Sequence, residues 1–236
     1  MVALSPNVTT PNVTPMTKLE ELVALARKRQ SARWEGFGCI GDYHCGAYEC
    51  DHVSPYTKSA SNVDADLFVM LQDWSSDSFL SKPVNTDVQR FGYAPRLPTN
   101  RKLAVLLHEH FKRDLSSVYA TNLFPFVKPG GVSSELSMAS LVRAANEFGL
   151  PQVLIVRPAF VVCFGLATFN ALRVACGHSA CKSMAIAIAS EFSWSNVEFW
   201  AQAHPGHFGQ VSRNTGGINR ICHDWQRMKS AFDARA

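Results

Sequence analysis

Four runs dominated by apolar residues, at 66–71, 117–121, 160–165 and 197–203, have the length of strands rather than helices. Between them apolar residues return every three or four positions, near 100–112, 135–148 and 166–175, and once more near 216–232. That is the spacing of helices that bury one face. Ahead of the first run, Leu19, Leu22, Val23 and Ala26 follow the same period, with Thr17 placed to cap the helix. Strands separated by helices predict βαβ units, and so an α/β fold: a three-layer α/β/α sandwich with a central four-stranded parallel sheet. Residues 34–62, rich in Gly, Cys and Tyr, read as an irregular segment, and residues 1–16 read as a loose N-terminal arm. Residues 17–236 are expected to form a single domain.

Composition narrows the class of protein. Hydrophobic residues make up 47% of the 236 and charged residues 18%, against about 25% charged in ordinary domains. This balance suits a large buried core. No apolar run reaches the roughly 18 residues of a membrane span, and the first residues lack the layout of a signal peptide. Seven scattered cysteines suggest reduced thiols in a bacterial-type cytoplasm, so the Asn-Val-Thr triplets at Asn7 and Asn12 are expected to be chance matches. The net charge of +4 is compatible with a polyanionic partner but does not demand one.

Candidate chemistry lies at the strand ends, because ligands of open parallel sheets bind beyond the carboxyl ends of the strands. Three of the four runs end on polar side chains: Gln72-Asp73, Asn122, and His204-Pro205. Each has an ordinary explanation, since a terminal Asp or Asn commonly caps a turn and a histidine before proline is commonly structural. Together they would converge on one cleft.

These segments resemble motifs of the uracil-DNA glycosylase superfamily. Leu71-Gln72-Asp73-Trp74-Ser75 resembles its Gly-Gln-Asp-Pro-Tyr motif, and Val118-Tyr-Ala-Thr-Asn122-Leu its Val-Tyr-Val-Thr-Asn-Leu strand. Val161-Val-Cys-Phe-Gly165 resembles the buried strand that ends on glycine, and Ala203-His204-Pro205-Gly206-His207 the final His-Pro motif. The likeness runs in order over residues 64–230 and departs at Leu71, Trp74 and Ser75.

The resemblance implies a glycosylase-like fold and hydrolytic removal of uracil from single- or double-stranded DNA by a monomer, without metal or other cofactor. Asp73 would stabilise the cationic sugar and position water, and His204 would stabilise the departing uracil anion. Asn122 would read uracil's ring N–H and carbonyl with its carboxamide, and Gln72 would add contacts to the base edge. Ser75 aligns with a tyrosine that excludes thymine, so the pocket is expected to admit 5-substituted uracils or deaminated purines. Base flipping calls for an aromatic platform and a wedge. Phe91 is the expected platform, with Phe79 its competitor; His207 and Phe208 stand where relatives insert a side chain, with core packing the alternative for Phe208. Arg213 and Arg220, around two glycines, suit phosphate contacts, or else belong to a solvated turn.

Cys39, Cys45 and Cys50 lack the C-x2-C pair of structural zinc sites, and Phe126 occupies the position of an iron–sulfur cysteine in some relatives. A non-catalytic or covalently trapping DNA-binding protein is the rival reading, with His207 as the trapping group. A lyase would need an amine at the sugar, and Lys82 and Lys128 are candidates by residue type alone. There is no Gly-x-Ser-x-Gly elbow to suggest an unrelated hydrolase.

Overall fold

A computed structural model describes residues 15–131 and 133–235, so the expected arm lies outside the described residues up to position 14. Thr17 caps the first helix, α1 (Lys18–Ser31), in a capping box: its hydroxyl accepts from the Glu20 N–H while the Glu20 carboxylate accepts from the Thr17 N–H. Arg29 of α1 is fully buried and organises the irregular segment that follows. Its guanidinium bonds Glu49 at 2.7 Å and the carbonyls of Cys50 and His52 at 3.1 and 2.8 Å. A segment whose own regular structure is limited to three short 3-10 turns, Ile40–Asp42, His44–Gly46 and Pro55–Ser59, is thereby tied to the helix.

The elements that follow are β1 (Leu67–Asp73), α2 (Asp77–Leu80), α3 (Thr86–Phe91), α4 (Pro98–Phe111), β2 (Tyr119–Phe124), α5 (Met138–Ala144) and α6 (Leu150–Val156). Then come β3 (Phe160–Phe164), α7 (Leu166–Ala175), α8 (Met184–Ile188), β4 (Phe192–Trp194), β5 (Val197–Gln202), α9 (His207–Arg213) and α10 (Arg220–Asp233). A π-helical stretch, Ala145–Gly149, joins α5 to α6.

The protein is α/β, with a mixed, mostly parallel five-stranded sheet in the order β2-β1-β3-β5-β4. The four expected strands are parallel neighbours, with Leu71 paired to Asn122 and Phe160 to Glu198. The expectation of four strands is corrected by β4, an antiparallel edge strand joined to β5 through Ser195 and Asn196, both at positive φ. Such a two-residue turn matches the twist of a hairpin. A three-residue strand is too short to leave an apolar run.

Alternate residues of each strand feed two separate cores. Phe68, Met70, Val161 and Phe199 pack with residues of α1, α5 and α7. Leu67, Val69, Leu71 and Val162 pack with α4 and α10. Because both faces are covered, the strands are apolar throughout instead of alternating. Among the described residues no helix is long and apolar enough to cross a membrane.

Candidate functional site

Beyond the carboxyl ends of β1, β2 and β5 lies a cavity of about 260 Å³. Gln72 and Asp73 at the end of β1, Asn122 within β2, and His204 just past β5 all line it. The parallel register is what brings them together, since β1 carries Asp73 beside the Asn122 strand while His204 follows β5 by two residues.

Asp73 is held at three points. Gln72 Nε2 donates to Oδ1 at 3.2 Å, Lys128 Nζ lies 3.0 Å from Oδ2, and Asn122 Nδ2 donates to the Asp73 main-chain carbonyl at 2.8 Å. Asn122 lies within β2, which runs on to Phe124, so it is not a strand terminus as the sequence suggested. Its amide orientation follows from its partners. A carbonyl can only accept, so Nδ2 must face Asp73; Oδ1 then receives the Ser54 hydroxyl at 2.7 Å. One N–H and one lone pair of the Asn122 carboxamide remain for a ligand.

His204 sits on the turn between β5 and α9. Its Nδ1 accepts the Gly206 N–H at 3.0 Å, which assigns the proton of the neutral ring to Nε2. Although solvent reaches the residue, the surrounding protein lowers the pKa of the ring below the ordinary 6.5, and the Asp73 carboxylate pulls weakly the other way. Two glycines make room for this turn. A Cβ on Gly206 would lie 2.9 Å from His204 Nδ1, and one on Gly209 would lie 2.3 Å from the His204 carbonyl oxygen.

Trp74 and Ser75 also line the cavity. The Trp74 indole donates to the Gly92 carbonyl at 2.7 Å and packs edge-on against Tyr48, which together hold its ring in place. Gly92 has φ +80°, and a Cβ there would come 1.7 Å from the Pro55 carbonyl oxygen. Only glycine fits that strut. Ser75 is buried, and its Oγ has neither solvent contact nor a hydrogen-bond partner. Its small size leaves space in the cavity, but its hydroxyl is not offered to a ligand.

The remaining sequence candidates divide. Phe91, the expected platform, does not line the cavity: its carbonyl accepts the Ser59 hydroxyl and Arg90 lies over its ring. The competitor Phe79 does line it, as do Tyr56 and Tyr93, whose rings lie 5.0 Å apart. His207 is exposed at the start of α9, outside the cavity. Phe208 is 87% exposed, so it is not a core residue. Arg213 grips Asp224 through two bonds of 2.6 and 2.7 Å, clamping α9 to α10. Arg220 bonds the carbonyl and hydroxyl of Thr215. Both guanidiniums are therefore engaged internally, whereas Lys82, Arg96 and Arg101 are exposed and have no ion pair among the described residues.

In the cysteine segment, the Cys39 thiol is buried against the Ala32 carbonyl and His44 Nε2 lies 2.6 Å from the Leu80 carbonyl. Among the described residues no three His, Cys, Asp or Glu side chains stand close enough to hold a metal ion. Sequence reasoning missed Ser54, Tyr56 and Tyr93, and named Lys128 only as a candidate lyase amine, not as the partner of Asp73. Ser54-Pro55 was a visible cap signal; Lys128 left no local sign of its partner.

Comparison with protein-family models and with curated proteins yields no match to the chain.

Proposed function

We propose that the chain is a monofunctional DNA glycosylase that flips uracil, and other bases of similar edge, out of DNA and hydrolyses the bond to the sugar. On this reading the fold is a three-layer α/β/α sandwich of the uracil-DNA glycosylase type. The observation that carries it is the meeting of Asp73, Asn122 and His204 on one cavity from three parallel strands of one sheet, β1, its neighbour β2, and β5 on the far side of β3.

The chemistry follows from the groups in hand. Cleavage leaves positive charge on the sugar and negative charge on the base. The carboxylate of Asp73 would face the first and orient the attacking water, and the Nε2–H of neutral His204 would donate to the base oxygen where negative charge grows. Asn122 has one donor and one acceptor left, which match uracil's carbonyl and ring N–H and mismatch the corresponding groups of cytosine. At ~30 Å³ per water the cavity holds the equivalent of roughly nine waters, space for a single base. Phe79, Tyr56 and Tyr93 supply aromatic surface for it, and exposed Phe208 suits the wedge. The free cations Arg96 and Arg101, beside the cavity-lining Leu97, Thr99 and Asn100, suit phosphates better than Arg213 and Arg220 do.

Trapping of the sugar by His207 loses support because that side chain stands outside the cavity. The test is base release from oligonucleotides carrying uracil, hypoxanthine, xanthine or 5-hydroxymethyluracil, in single and double strands. Uracil release that falls by about 10²–10³ in both Asp73→Ala and His204→Ala is the expected result. Release of no base, or full activity in either variant, would overturn the reading.

A further inference from the structure

Behind Asp73 stands a cation that the proposed chemistry does not use. Lys128 follows β2 by four residues, and its side chain is only 3% exposed with Nζ 3.0 Å from Asp73 Oδ2. Lysine is seldom so deeply buried, and an ammonium out of water is costly unless paired. The main chain delivers it there. Ser76 and Lys128 form a parallel bridge, the Asp77 N–H donates to the Lys128 carbonyl at 2.9 Å, and the Ser78 N–H donates to the Gly130 carbonyl at 2.9 Å. The loops leaving β1 and β2 are thus zipped together just past the cavity, and the zip sets the ammonium against the carboxylate.

As a source of charge the arrangement is counterproductive. A cation 3 Å from the carboxylate offsets the field that would stabilise a positive sugar. What it supplies is orientation: Lys128 holds Oδ2 while Gln72 holds Oδ1, so the carboxyl plane is fixed by one donor on each oxygen. Lys128 does not line the cavity, so it acts on the substrate only through Asp73.

We infer that Lys128 is a positioning residue for Asp73, fixing the carboxylate against the sugar and its attacking water. The inference rests on the proposed glycosylase reading. Misplacing a reacting group by about 1 Å can cost ~100-fold in rate, and that is the order expected when this anchor is lost.

The test compares single-turnover release of uracil by the unaltered chain, Lys128→Met, Lys128→Arg, Asp73→Asn and the Asp73→Asn/Lys128→Met double variant, with oligonucleotide affinity measured alongside. Lys128→Met is expected to slow release by ~100-fold with affinity nearly unchanged. Lys128→Arg, which still donates to Oδ2, is expected to recover part of that loss. In the Asp73→Asn background the Met substitution is expected to cost nothing further, because the carboxylate it served is gone. The double variant leaves neither charge buried, so it keeps the comparison open if Lys128→Met unfolds. Equal losses in both backgrounds, or a loss seen only as weaker binding, would overturn the inference. So would undiminished release by Lys128→Met from a chain that is itself active, leaving the functional reading intact. No release by the unaltered chain would overturn both.

Discussion

Gly209→Ala would plant a methyl group 2.3 Å from the carbonyl oxygen of His204 and 3.0 Å from its carbonyl carbon. Ordinary contacts of this kind start near 3.4 Å, so the turn must open by 3.4 − 2.3, about 1.1 Å. Backbone lies on both sides of the clash, and no flexible side-chain tip can absorb it. Either α9 lifts or His204 is pushed back, and the imidazole that should meet the base oxygen moves with its backbone. A displacement of that size is expected to slow uracil release by ~100-fold. Alanine within α9 should recover about 0.5–1 kcal/mol of helix propensity, which offsets part of the strain, so the melting temperature should move little. The assay is single-turnover base release beside thermal denaturation. Gly131→Ala serves as control, because the nearest atom its Cβ would meet is 3.8 Å away. A Gly209→Ala variant releasing uracil at the rate of the unaltered chain would refute the placement of His204 as a base contact.

The lowered pKa of His204 makes a second prediction: the ring stays neutral through pH 6.5, and release declines only at lower pH, where Nδ1 protonates and loses the Gly206 N–H. Because the unfolded histidine binds its proton more readily, the associated stability is present above 6.5 and is lost as pH falls through the folded value; denaturant titrations of the unaltered chain and His204→Ala should diverge in that sense. Arg213→Ala should cost about 2–4 kcal/mol by stranding buried Asp224, while the salt dependence of DNA affinity keeps its slope; a slope smaller by about one unit would return Arg213 to the phosphates. Phe208→Ala should leave the melting temperature unchanged and slow release from duplex more than from single strands. Equal rates on both would remove Phe208 as the wedge.

Strands and long helices were legible because their cause is local. A strand covered on both faces must be apolar at consecutive positions, and an amphipathic helix must repeat every three to four. The capping box at Thr17 was legible for the same reason, since both partners lie within one turn. Convergence of Gln72, Asp73, Asn122 and His204 followed from topology, once the strands were taken as parallel. What escaped depends on long-range contact. Ser54 meets Asn122 across 68 positions, and Lys128 reaches Asp73 through a pairing of two loops that carries no periodic signal. The position of Phe91 under an arginine and off the cavity was not legible, because an aromatic in the sequence looks the same in either place. Arg213 looked like a phosphate ligand because the sequence does not reveal that Asp224 satisfies it.

Arg29 gives the cavity a dependence on a helix that never touches it. The segment that Arg29 holds also carries Ser54, which orients the base-reading amide, and Tyr56, which forms part of the wall. Release of Arg29 would free residues 49–56 to open as one unit below the cost of global unfolding. Ligand in the cavity would then be felt at α1: amide hydrogens of the segment should exchange more slowly when the pocket is filled, by a factor that tracks occupancy.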